Sequence, residues 1–344
     1  MQALILAGGK GTRLRPLTVY TPKPVVPVVN RPFLLYQIEV LRNAGITDIT
    51  LSLSYQPDKI ESVLGDGSEH GVNLRYVTEP SPLGTGGAYK FAADAIRTTT
   101  VVLNGDILTD VNISRMLECH AERSAEATIA LTPVKDPAAY GLVITDAEGR
   151  VVQFLEKPKP EDIKKIEVNT INAGIYVLEP SILDVIPKNE NRSFEYHVFP
   201  ELLAARKAFF AYALENVYWR DIGSPASYLA AHMDFLHGKV GGFQIERHDA
   251  DIATAASIDK RSIIGNGCII KPNARIVNSV LGRGVHVEEK AVIENSVIWG
   301  HTRISASAEI TDSVMARSCH IGRNATVSGA VLGDKALLPD YSKV

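Results

Sequence analysis

Residues 3–18 read Ala-Leu-Ile-Leu-Ala-Gly-Gly-Lys-Gly-Thr-Arg-Leu-Arg-Pro-Leu-Thr. A short apolar strand, Ala3 to Leu6, runs straight into a loop that holds Gly8, Gly9 and Gly11. Glycine has no Cβ, so its main chain can approach a bulky anion and face it with amide groups. Arg13 and Arg15 add fixed positive charge a few residues later. The loop is not a Walker A motif, because Gly11 rather than Ser or Thr follows Lys10. It is not a dinucleotide fingerprint either, because Leu14 stands where the third glycine would be.

Outward from this loop, strand-like and helix-like segments alternate as far as about residue 235, the pattern of an α/β domain with a mostly parallel sheet. Leu34, Leu35, Ile38 and Leu41 share one helical face, and Gly45 follows as a stop. Ile49, Leu51 and Leu53 alternate as a strand, and Val101-Val102-Leu103 form a buried strand that ends at Asn104-Gly105-Asp106. A further strand, Val151 to Leu155, delivers Glu156-Lys157-Pro158. Ser224-Pro225 reads as an N-cap with proline at the first helical position, opening a helix that runs to Gly238. In open α/β sheets ligands bind beyond the carboxyl ends of strands, where these polar residues fall.

The tail keeps a strict period. Ala274, Ala291, Ala308 and Ala325 recur every 17 residues, as do Ile263, Val280, Val297, Val314 and Val331, and also Cys268, Val285, Thr302, Cys319 and Ala336. Three short faces per turn, with small or branched residues inside, predict a parallel β-helix of about five coils. Its resemblance is to the left-handed β-helix of hexapeptide repeats. The expected division is a catalytic domain over 1–238, a linker over 239–256 and the β-helix over 257–344. Cys268 and Cys319, three periods apart, fall about 14 Å apart on stacked strands, too far for a disulfide. His286 and His320 take positions between inward residues and are expected to face solvent.

The opening string resembles the signature of sugar-nucleotide pyrophosphorylases, nucleotidyltransferases that join a nucleoside triphosphate to a sugar 1-phosphate. The resemblance extends over residues 1 to about 235 and implies a Rossmann-like nucleotidyltransferase domain. It assigns nucleotide binding to Leu6, Ala7, Gly8, Gly9, Gly11, Thr12, Arg13, Lys23, Glu79, Gly84 and Thr85. Tyr140, Gly141, Glu156, Lys157 and Asn172 fall to the sugar phosphate, with Glu156 accepting from sugar hydroxyls and Lys157 holding the phosphate. Asp106 and Asp221 match the two aspartates that hold a metal, and Mg²⁺ is the cofactor implied, since it takes one or two carboxylates together with substrate phosphates. Arg13, Lys23, Asp106, Lys157 and Asp221 are the expected catalytic set. A sugar phosphate is already an anionic nucleophile, so the chemistry asks for alignment and charge cancellation rather than a base.

Glu79 opens Glu-Pro-Ser-Pro-Leu-Gly-Thr-Gly-Gly-Ala, which resembles the base-reading loop of that family. An ionised carboxylate only accepts, matching the two adjacent N–H donors of guanine and favouring GTP. The alternative is that Glu79 faces solvent and the backbone reads the base. The layout is most similar to mannose-1-phosphate guanylyltransferases. Glucose-1-phosphate thymidylyl- or uridylyltransferases remain open, and Gly86-Gly87 keeps a heptose-phosphate guanylyltransferase open too. An acyltransferase would need a long loop breaking the 17-residue period, and a non-catalytic sugar-nucleotide sensor would not need the intact charged set. With 344 residues, 45% hydrophobic and 22% charged, and a net charge of −3, the chain has an ordinary globular composition and no general attraction to nucleic acid or membrane. Three cysteines without metal-ligand spacing point to a reducing, cytoplasmic setting. A homo-oligomer is expected.

Overall fold

Strand β1 (Gln2–Leu6) lies inside a nine-stranded sheet, and its Ala-Leu-Ile centre supplies apolar groups to both faces. The computed structural model describes residues 1–159, 161, 168–245 and 248–344. Two compact units divide the chain: Met1–Gly9 with Leu34–Trp219, and Lys10–Phe33 with Arg220–Val344. The sheet belongs to the first. Its further strands are β2 (Asp48–Leu53), β3 (Asn73–Thr78), β4 (Thr100–Asn104), β5 (Ala127–Pro133), β6 (Gly141–Thr145), β7 (Val151–Glu156), β8 (Thr170–Leu178) and β9 (Phe209–Ala213). The order β7-β6-β8-β4-β1-β2-β3 is parallel from β4 to β3, while β8 runs antiparallel to β4, β5 and β6. Strand β9 adds a parallel pair on β5.

On β2 the even positions are covered too: Thr50 and Ser52 are buried alongside Ile49, Leu51 and Leu53. A parallel sheet is closed on both faces, so a polar alternation in sequence does not become a wet face. Helix α1 (Leu34–Asn43) ends as read, with Gly45 at φ +76°. One side of the core is an aromatic group in which Tyr176, Phe194, Phe199 and Phe209 pack with centroids 5.2–5.4 Å apart.

In the second unit, helix α2 (Pro225–Leu236) has the expected cap, the Ser224 side chain accepting from the Ser227 amide. The helix stops at Leu236, and Gly238 follows at φ +68°. Beyond it, short strands stack in three parallel ladders of six, five and five. Ile263, Val280, Val297, Val314 and Val331 pair in sequence at the 17-residue interval, as do Ile269, His286, Arg303, His320 and Leu337. The first rung, Asp251–Ile252, lies within the stretch read as a linker and pairs with Ile269–Ile270. Each coil turns three corners through left-handed residues, such as Asn278, Asn295 and Asp312 in one column.

The interior carries a polar column beside the apolar ones. Ser262, Ser279, Ser296 and Ser313 are all buried at the same interval. Each hydroxyl accepts from the amide one coil on, to Ser279, Ser296, Ser313 and Ala330 respectively, every time at 3.1 Å. The cysteine column is satisfied in the same spirit. Cys268 donates to Gly282 O at 3.1 Å, Thr302 to Ala316 O at 3.2 Å and Cys319 to Gly333 O at 3.2 Å. Both thiols are buried and free, and burial pushes them up from the ordinary thiol range. His320 is exposed as expected, whereas His286 is half-buried between its ladder neighbours Ile269 and Arg303, with Nε2 shielded from solvent.

Ser296→Ala is expected to destabilise the protein by about 1–3 kcal/mol, because it leaves the buried Ser313 amide without that acceptor. Urea unfolding of both proteins measures this; a change within error would show that the column contributes shape only.

Candidate active site

Four parallel strands end at one edge of the sheet. Leu6 is level with Ser52 and with Asn104, and Leu53 is level with Thr78. The residues that follow these ends are therefore delivered together. The Gly105 amide donates to Leu6 O at 2.8 Å. A Cβ on Gly105 would stand 2.8 Å from Leu6 O and 2.9 Å from the Ala7 Cβ, so this turn closes only with glycine, and it holds the residue before Asp106 against Leu6 and Ala7. Gly8 packs close to Ser54 Oγ and Glu79 Oε1, while nothing stands within 4 Å of a Cβ on Gly9. The exposed Gly9 backbone is thus open to a ligand.

Glu79 does not face solvent. It is 7% exposed; Oε1 accepts from Ser52 Oγ at 2.9 Å and Oε2 from the Leu83 amide at 3.0 Å. The carboxylate thus shapes the 79–83 loop. Gly84, at φ +72°, lies under Arg192 O, and Gly87 under Glu190 O and the Arg192 amide, so the Gly86-Gly87 pair is accounted for by the chain packed on it. The Thr85 hydroxyl donates to Glu195 Oε2 at 2.9 Å and accepts from the Phe194 amide at 2.8 Å, holding that segment.

The sugar-assigned residues share a second cluster in the same unit. Glu156 ends β7 opposite Gly141, where a Cβ would come 2.7 Å from Glu156 Oε2. Lys157 follows, exposed, in the left-handed region at φ +46°, its amide donating to Tyr140 O at 3.1 Å. For a lysine that conformation is strained, and such strain concentrates at functional positions. Asn172 donates to the Tyr176 hydroxyl at 2.9 Å and accepts from the Gly174 amide at 2.9 Å. Here β8 slips its register against β5, and Gly174 comes close to the Asn104 side chain. Tyr140 meets Trp219 edge-on at 5.8 Å, and the Trp219 indole donates to Ala173 O.

Two residues without a sequence signal complete this unit. Glu195 faces Glu156: burial first, and then the Glu195 charge, push the Glu156 carboxyl above its ordinary range, with Lys157 opposing. Gln37, buried on α1, donates to Asn104 O at 2.9 Å and Ile107 O at 2.7 Å, clamping the turn that carries Asp106.

The second unit holds the other charged residues. Thr12–Leu14 is a short 3₁₀ turn entered through Gly11 at φ +62°; Thr12 is exposed, and a Cβ on Gly11 would come 3.0 Å from that of Lys23. Arg13 Nη2 lies 3.7 Å from Asp221 Oδ2 and Lys23 Nζ 3.9 Å from Asp221 Oδ1. Gly223 leaves the room for this, since a Cβ there would stand 2.7 Å from both Arg13 Nη2 and Asp221 Oδ1. The Arg13 side chain is 71% exposed and that of Lys23 10%. Arg220 is structural, pairing with buried Asp234 on α2 at 2.7 Å. Among the described residues no three His, Cys, Asp or Glu side chains group to hold a metal. Magnesium does not need such a group. Asp106 in the first unit and Asp221 in the second each carry carboxylate oxygens, the hard donor type that Mg²⁺ takes.

The nucleotidyl transferase family profile matches residues 2–238, and the LbH (left-handed β-helix) domain profile of EIF2B subunit epsilon matches 244–344. The chain is 38% identical to a mannose-1-phosphate guanylyltransferase of Mycobacterium tuberculosis, across 82% of this chain and 79% of that one. It is 36% identical to the mannose-1-phosphate guanyltransferase of Saccharomyces cerevisiae, across 80% and 73%. Among solved structures, HddC from Yersinia pseudotuberculosis superposes with a TM-score of 0.58 at 31% identity, covering 68% of this chain and 99% of that one. A putative glucose-1-phosphate thymidylyltransferase from Bacillus anthracis shares the fold, with a TM-score of 0.62 at 24% identity over 71% and 97%.

Glu195→Gln removes the negative charge facing Glu156, so the Glu156 carboxyl should titrate at lower pH than in the unsubstituted protein. Carboxyl carbon NMR across an acid titration reads this directly; an unmoved or raised Glu156 midpoint would show that the two carboxylates do not interact.

Proposed function

The chain belongs to the nucleotidyl transferase family, and on that premise we propose that it is a mannose-1-phosphate guanylyltransferase. It transfers GMP from GTP to mannose 1-phosphate, giving GDP-mannose and pyrophosphate. The observation that carries this reading is the Gly105–Leu6 contact, which draws the Asn104-Gly105-Asp106 turn against the start of the open, glycine-rich loop at the carboxyl edge of a parallel sheet. The two guanylyltransferase relatives, matched over 82% and 80% of this chain, support the choice of base and sugar.

The attacking oxygen is already negative, so catalysis consists of lining up two polyanions and cancelling their repulsion. Main-chain amides at Gly8 and Gly9 take the phosphates of the triphosphate, and Arg13 and Lys23 neutralise them. Lys157 holds the sugar phosphate, and Glu156 and Asn172 receive the sugar hydroxyls, with Tyr140 beside them. A Mg²⁺ on Asp106 and Asp221 would supply charge neutralisation at the reacting phosphates. Glu79 keeps acceptor capacity beyond its two internal bonds, because an ionised carboxylate has about four lone-pair sites; that capacity suits the paired donors of guanine. No described helix is long and apolar enough to cross a membrane. We place the enzyme in the cytoplasm as a homo-oligomer, in keeping with its three free cysteines.

Pyrophosphate release with GTP, UTP and dTTP against mannose, glucose and heptose 1-phosphates tests the proposal, and GTP with mannose 1-phosphate should give the highest kcat/KM. A preference for another pair overturns it. Asp106→Asn should cut kcat by about 10²–10³-fold with the fold intact. Glu79→Gln should lower discrimination between GTP and UTP by about 1–3 kcal/mol; unchanged ratios would assign base reading to the 79–83 backbone.

A further inference from the structure

The residues proposed to neutralise the triphosphate, Arg13 and Lys23, stand on a segment that groups with the β-helix and not with the sheet. Its attachments follow one side of the coil stack. At the tip of the hairpin Pro27–Val28/Arg31–Pro32, the Asn30 amide group donates to Leu281 O at 2.8 Å. One coil on, Trp299 is 2% exposed, and its indole donates to the Tyr228 hydroxyl at 3.0 Å. That hydroxyl in turn donates to Pro27 O. Two coils beyond Trp299, a Cβ on Gly333 would stand 3.2 Å from the Pro16 ring.

The coil column that meets the segment reads Gly265, Gly282, Trp299, Ala316, Gly333 at the 17-residue interval. Four small residues and one tryptophan occupy equivalent positions, so Trp299 is the one large side chain projecting from this line. Coil stacking does not require it, because neighbouring coils close with glycine or alanine there. The hairpin it serves is strained. Val29 and Asn30 both lie in the left-handed region, at φ +47° and +65°. For a β-branched valine this is a genuine outlier, which persists only where the surroundings impose it. Val29 is buried, and the Asn30 bond to the coil fixes the tip. His232, stacked edge-on against Tyr228 at 4.5 Å and donating through Nδ1 to Tyr228 O, is pushed by burial down to about 4 and brings no charge into this contact at neutral pH.

We infer that the β-helix positions the triphosphate-binding segment: Trp299, Tyr228 and Asn30 are positioning residues for Arg13 and Lys23, and the coil is part of the catalytic apparatus. The inference rests on the guanylyltransferase reading for its kinetic arm alone. Lys23 begins the turn Lys23–Val25, four residues before Pro27, so a hairpin released from the coil carries its ammonium group with it. Arg13 follows through the close packing of Gly11 on Lys23.

The test compares full-length Tyr228→Phe, Asn30→Ala and, as a control, Ser296→Ala, which weakens hydrogen bonding inside the stack. Tyr228→Phe and Asn30→Ala should each lower kcat/KM for GTP by about 10–100-fold, the scale of a small misplacement of charge. KM for mannose 1-phosphate should stay within about twofold. Amide hydrogen exchange should quicken over residues 10–33 in both variants, with coil amides unchanged. Ser296→Ala should lower the melting temperature yet keep both kinetic constants where it is folded. If exchange over 10–33 is unchanged in Tyr228→Phe and Asn30→Ala, the inference is overturned whatever the substrate. A fall in activity that tracks melting temperature in all three variants overturns it as well. An unsubstituted protein that quickens none of these substrates defeats the guanylyltransferase reading alone, and the exchange arm still decides the positioning role.

Discussion

The Gly105 amide bonded to Leu6 O determines where polar groups can stand at the carboxyl edge of the sheet. Strands β1 and β4 are parallel neighbours, and the chains leaving them would normally diverge. A glycine lets the second chain turn back against the first at van der Waals distance, which draws the Asp106 turn toward the start of the glycine-rich loop. The supporting contacts serve this turn. Gln37 closes it from α1, and the left-handed Gly174 leaves room for the Asn104 side chain. Glu156 stands against Gly141 by the same device. Close approach without Cβ recurs at Gly223, beside Arg13 and Asp221.

Two carboxylates illustrate opposite uses of burial. Glu79 is covered, and its oxygens accept from a hydroxyl and an amide, so its loop is shaped. Glu156 is half-covered and faces Glu195, so its charged form is disfavoured until a donor arrives. On the proposed function, a sugar hydroxyl is such a donor. Its hydrogen bond would stabilise the ionised form that burial and repulsion oppose.

Periodic features were legible in the chain, and contacts between distant segments were not. The 17-residue columns fixed the coil register down to individual pairs such as Val280 with Val297. The serine column has the same interval, but serine is a small polar residue that suits a surface equally well, and the inward place of Ser296 shows only in the Ser313 amide it accepts from. Glu195 lies 39 residues from Glu156 in a stretch without a motif, and Gln37 looks like the polar face of an amphipathic helix. Chain order also suggested that residues 10–33 belong with the sheet that precedes and follows them. Their grouping with residues 220–344 depends on Asn30, Pro27 and Pro16 meeting partners more than 200 residues away.

The coil itself shows why so narrow a stack tolerates polar residues inside. The turn over residues 291–307 buries six apolar side chains, Ala291, Ile293, Val297, Ile298, Trp299 and Ile304, and its three corners leave main-chain groups that the ladders do not reach. A buried amide without a partner costs more than a buried methyl group gains. Serine at the corner before each Val or Ile supplies an acceptor to the next coil and donates back to its own, as Ser279 does to Val277 O and Ser296 to Glu294 O. Cysteine or threonine donates at the corresponding corner of another face. The repeat is thus conserved within the chain for hydrogen bonding as much as for packing. A coil so completed presents a rigid side, and a rigid side is what a strained hairpin needs to rest on.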